Sequence, residues 1–177
     1  MHKIFLTAAL VVPTALFAAG GGNDNPPTPT NTTKECTDGQ VWSDKDKACV
    51  DPQSGALDDD QLYRAARELA YAGQYPETLR VLAAMSDPKD DRVLTYLGFT
   101  YRKLGETDLG NAYYRQAIEK NPDNLLARSY MGQGFVEAGD IVSAPAQLVE
   151  IRERGGTGTW PETSLRKAIL SGYTTSY

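Results

Sequence analysis

The feature that most constrains the fold is a register of matching residues that recurs along the second half of the chain. Leu97-Gly98 returns as Met131-Gly132, Tyr101 as Phe135, Gly105 as Gly139, Tyr114 as Leu148 and Ala117 as Ile151, all at a shift of 34 residues. Backwards, Ala65-Ala66, Leu69, Gly73, Leu82 and Met85 match the same places at a shift of 32. Self-similarity at this period marks a stacked unit of secondary structure. The spacing within a unit is helical. Leu94, Leu97, Tyr101 and Leu104 fall on one face of a first helix, and Tyr114, Ala117 and Ile118 on one face of a second. Gly73, Gly105 and Gly139 stand where the chain must turn sharply between the two. Gly98 and Gly132 leave room for neighbouring helices to approach. Pro76 suits a first helical position, whereas Pro145 predicts a helix that starts late, capped by Ser143, or kinks. One such pair cannot bury its apolar face alone, so the copies must stack.

The residues Leu97, Gly98, Tyr101, Gly105, Tyr114, Ala117 and Pro122 carry a likeness. In them the chain resembles the tetratricopeptide repeat (TPR) family, over about residues 59 to 154. The first copy departs from the pattern with Ala66 at the small-residue place and a shortened loop near Asp87, and the third with Pro145. The resemblance implies an all-α, right-handed solenoid of three helix pairs (59–90, 91–124 and 125–154). A capping helix over 159–171 follows, with Thr159 and Glu162 at capping-box spacing. It also implies that the first helix of each copy lines a concave groove. Carried onto this sequence, the groove side holds Tyr63, Arg64, Arg67, Tyr71, Arg92, Tyr96, Phe99, Arg102, Lys103, Tyr130 and Gln133. Tyr offers contact area with few rotors and Arg a fork for carboxylates, so the expected partner is an extended or helical protein segment carrying acidic groups. The competing expectation is that the tyrosines pack within and between repeats and the arginines are solvated. The family's Lys/Asn carboxylate clamp is not reproduced.

The N-terminal third reads differently. Lys3, the apolar run Ile4 to Phe17 and Ala18-Ala19-Gly20 have the pattern of a secretory signal peptide over residues 1–19, which implies a periplasmic or secreted protein with no membrane span after cleavage. Residues 20–35 hold Gly, Pro, Asn and Thr with no large apolar side chain, and predict a flexible linker. Asn31-Thr32-Thr33 matches a glycosylation acceptor, a short motif of low specificity. Cys36 and Cys49 predict one disulfide closing a loop over 36–50, worth about 3 kcal/mol. Trp42 is its one large apolar group. The loop reads as a stapled spacer or cap; the alternative is ligand recognition, with Trp42 contacting glycan. Asp44 and Asp46 begin a calcium-loop spacing, but Ala48 stands where a third ligand is required.

Chemistry is sparse. The only histidine, His2, lies in the signal segment, so the expected mature chain has no imidazole for a triad or a metal site. No catalytic residue, metal site or cofactor is predicted. Arg154 to Trp160 has the glycines of a phosphate loop without its Gly-Lys-Ser/Thr ending. Asp58-Asp59-Asp60 and Asp90-Asp91 precede helical patterns, where carboxylates complement the helix dipole. The net charge of −5 argues against nucleic acid as a bulk partner.

Overall fold

The computed structural model describes residues 24–174; the predicted signal segment 1–19 lies outside the described residues. The chain is mostly helical. Its elements are α1 (Asn31–Glu35), β1 (Val41–Ser43), β2 (Ala48–Val50), α2 (Asp59–Tyr71), α3 (Tyr75–Leu82), α4 (Asp91–Lys103), α5 (Thr107–Lys120), α6 (Leu125–Glu137), α7 (Ser143–Glu153) and α8 (Trp160–Ser171).

The repeated register becomes repeated geometry. Helices α2, α4 and α6 are each 13 residues long. Each ends in a glycine of left-handed backbone, with φ of 76° at Gly73, 90° at Gly105 and 73° at Gly139. The same closing hydrogen bond follows each glycine: Gln74 N–H to Leu69 O at 2.9 Å, Glu106 to Tyr101 at 2.9 Å and Asp140 to Phe135 at 2.8 Å. This is the bond that satisfies a late carbonyl and turns the chain back. Helices α3, α5 and α7 pack on α2, α4 and α6, while α2 meets α4, α4 meets α6 and α6 meets α8. Buried Leu62, Leu69, Val81, Leu82, Phe99, Tyr114 and Tyr130 belong to one continuous core, and Leu148, Ile151 and Leu165 join α7 to α8.

The acidic pairs act as helix starters. Asp58 forms a full capping box with Gln61, and the Asp90 carboxylate accepts from Arg92 N at 2.8 Å. Pro76 sits in the first turn of α3. Helix α7 does start late, at Ser143, but its cap is Asp140, whose Oδ1 accepts from Val142 N and Ser143 N at 3.1 and 2.9 Å. The capping box expected at α8 is absent. Thr159 Oγ1 donates to Gly156 O at 2.6 Å, and Glu162 is drawn instead into ion pairs with Arg152 and Arg166. Leu104, expected on the buried stripe of α4, is 46% exposed. With α2 and α6 on either side, α4 turns Val93, Tyr96, Phe99 and Thr100 inward instead.

The linker expectation is corrected over residues 24–35. Thr30 caps α1, Thr32 is buried, and this stretch is fastened to α2. Cys36 and Cys49 form a disulfide, and Trp42 stands opposite Cys49 in the β1–β2 hairpin. The hairpin is seated on the repeats. Val41 is buried in the main core, and Arg80 of α3 reaches both Asp38 O and the Asp51 carboxylate. Among the described residues no helix is long and apolar enough to cross a membrane.

Candidate functional site

Two features of the first helices bear on function: a row of aromatic rings along α2, α4 and α6, and a cavity where the disulfide hairpin meets α2. The row runs from Tyr63 to Tyr96 (ring centroids 5.7 Å apart), Tyr96 to Tyr130 (6.0 Å) and Tyr130 to Trp160 (6.1 Å). Phe99 lies 4.9 Å from Tyr130 and stacks on Tyr71 at 5.8 Å. The hydroxyls form a chain: Arg67 Nε donates to Tyr96 Oη at 3.2 Å, and Tyr71 and Tyr130 share a bond of 2.6 Å. Burial raises the hydroxyl pKa of Tyr63, Tyr96 and Tyr130 above the ordinary value, so these groups act as neutral donors and acceptors.

Most of the predicted groove residues therefore do not form a surface. Tyr96, Phe99, Tyr130 and Gln133 have no exposed area, and Arg67 and Arg102 are buried. The physical reason is that large rings on consecutive first helices reach across the gap between them, and Trp160 continues the row from α8. The basic groups are largely committed. Arg67 donates to Asn25 O at 2.6 Å, and Arg92 pairs with Asp60 and Asp90. Arg102 pairs with Glu137 at 2.5 Å, and Lys103 lies 3.7 Å from the same carboxylate. Burial pushes Glu137 up, but Arg102, Thr174 and Lys103 together hold it below its ordinary value. Burial and the neighbouring Arg102 charge pull Lys103 down. What stays accessible is a rim: Arg64 is exposed, and Tyr63, Tyr71, Arg92 and Lys103 are partly so.

Arg64 occupies the register place of Tyr96 and Tyr130, but no earlier repeat covers it. There it meets the second feature, a cavity of about 390 Å³ lined by Thr30, Asn31, Thr32, Val41, Trp42, Asp44, Gln61, Arg64, Ala65 and Glu68. Trp42 and Arg64, assigned by sequence to different sites, thus share one. The cavity is held by Glu68, which is 6% exposed. Its carboxylate accepts from Thr30 N and Oγ1, both at 2.6 Å, and from Thr33 N and Oγ1. Trp42 N donates to Thr32 Oγ1 at 3.3 Å, tying the hairpin to α1. Nothing in the sequence of residues 24–35 marks this docking, because the group that orders the segment lies on α2.

Glu68→Ala removes one acceptor group from four bonds, and the variant is expected to lose about 2 kcal/mol and to release α1. Limited trypsin digestion checks this at Lys34, which lies in α1. Cleavage there should become the fastest event, and an unchanged digestion pattern would refute the latch.

Among the described residues no cluster of three or more His, Cys, Asp or Glu side chains could hold a metal. Comparison of the chain with family models, curated proteins and solved structures finds no match.

Proposed function

We propose that this chain is an exported, TPR-like interaction module that holds a segment of another protein along the rim of its first helices and catalyses no reaction. The observation that carries this reading is the threefold recurrence of a 13-residue helix, a left-handed glycine and one closing hydrogen bond, with each first helix packed on the next. A chain built by adding copies gains an extended shared surface rather than a single enclosed centre. The resemblance to the TPR family supports the right-handed solenoid. The disulfide supports the exported compartment. The partner is a segment with acidic groups, met by the partly exposed Arg92 and Lys103, which it would share with Asp60, Asp90 and Glu137.

Photo-crosslinking in the native host tests the reading. A photoreactive residue in place of Arg92 or Lys103 on the rim is expected to yield a discrete protein adduct. The same residue in place of the exposed Gln116 or Lys167, away from the rim, is expected to yield none. Equal labelling from both sets, or no adduct from the rim, overturns the proposal. Arg92 and Lys103 are outside the Trp42 cavity, so this outcome is independent of anything that cavity binds.

A further inference from the structure

We infer that the cavity between the disulfide hairpin, α1 and α2 is a binding site for a short, uncharged saccharide of one or two pyranose rings. The site shares Arg64 with the rim proposed above, but its other lining residues lie outside that rim and it does not depend on the partner proposed there.

Its volume of about 390 Å³ lies inside the range of about 300–1,000 Å³ usual for small-molecule sites. Its walls come from three elements locked together before any ligand arrives. The disulfide closes the hairpin, Trp42 N is bonded to Thr32, and Glu68 holds α1 through Thr30 and Thr33. Such preorganisation lowers the ordering cost of binding.

The polar groups at the mouth are unspent. Arg64 makes no hydrogen bond or ion pair among the described residues. Gln61 Oε1 accepts from Asp58 N at 3.0 Å, which fixes the amide and leaves its Nε2 donors without a partner among the described residues. The Asn31 carboxamide is likewise uncommitted. Asp44 accepts from Trp42 Nε1 at 3.2 Å through Oδ1, which leaves Oδ2 to accept from a ligand.

Charge selects the class. A carboxylate ligand would suit Arg64 but would face Asp44 and Glu68; a cation would face Arg64. Glu68 is already satisfied four times over, so it offers little to a cation. A neutral molecule with an apolar face and a hydroxyl edge meets every group without an opposed charge. Trp42, Val41 and Ala65 supply the apolar contact, and the planar amides, guanidinium and carboxylate supply paired donors and acceptors for neighbouring hydroxyls.

The chain has two tryptophans, so Trp160→Phe leaves Trp42 as the sole indole reporter. Titrating that variant with cellobiose, maltose and N,N′-diacetylchitobiose should give a saturable change in Trp42 emission with at least one of them. Calorimetry on the unaltered protein gives the same readout if Trp160→Phe does not fold. Arg64→Ala should weaken that binding at least about tenfold, and Trp42→Ala, read by calorimetry because it removes the reporter, should abolish it, with the helical circular dichroism unchanged. No binding of any disaccharide overturns the inference. So does binding of N-acetylglutamate in their place, or an affinity that Arg64→Ala leaves unaltered.

Discussion

Tyr96→Ala lowers the free energy of unfolding by about 3–5 kcal/mol, the cost of deleting a buried aromatic side chain. Tyr96 has no exposed area and touches Tyr63, Phe99 and Tyr130, so removal leaves a void bordered by three rings. It also deprives Arg67 Nε of its acceptor, although Arg67 keeps its bond to Asn25 O. Tyr96→Phe isolates that second effect and costs about 1 kcal/mol. Arg64→Ala, at the equivalent but uncovered place of the first repeat, changes stability by less than about 0.5 kcal/mol. Urea denaturation of the three variants checks the order. A loss under 1 kcal/mol for Tyr96→Ala would mean that the ring faces solvent and belongs to a groove after all (~1 kcal/mol being the central value for any substitution).

The contrast between Tyr96 and Arg64 shows what the sequence can and cannot convey. The period of the repeats was legible because it rests on local requirements: helical spacing, and glycine at a left-handed turn. Those requirements act within a few residues of each position. Whether Tyr96 and Tyr130 line a surface or a core depends on how far rings reach between helices 34 residues apart, and Tyr serves both purposes. Trp160 completes the row from α8, where sequence pointed only to a cap. The docking of residues 24–35 was hidden for a related reason. A segment of Thr, Pro and Asn has no apolar signal of its own, and its order comes from a buried carboxylate 35 residues onward. At α7 residue type and backbone geometry point to different caps. Ser143 is a good capping residue by type, whereas the backbone places Asp140 one turn earlier, and its ionised oxygen is the stronger acceptor.

Gly110→Val is the second substitution with a large expected effect, a loss of about 3 kcal/mol. Helices α4 and α5 touch most closely where Gly98 faces Gly110. A Cβ on Gly110 would lie 2.8 Å from Gly98 O and 3.0 Å from Arg102 N. Both obstacles are backbone, so relief requires the two helices to separate, and separation would loosen the fit of Tyr114 and Phe99 together. A Cβ on Gly98 meets a different obstacle, the Tyr114 ring at 2.6 Å, with Gly110 O at 3.0 Å. That clash is chiefly with a side chain. Tyr114→Leu should therefore recover part of the stability lost in Gly98→Ala, and should recover none of that lost in Gly110→Val. Double-mutant cycles in urea measure both couplings. Equal rescue of the two glycine variants would show that the helices yield easily and that the Gly98–Gly110 contact does not set their separation. Gly110 escaped the repeat register because its equivalents are Thr78 and Ala144, so only the middle pair of helices carries glycine on both faces of the contact.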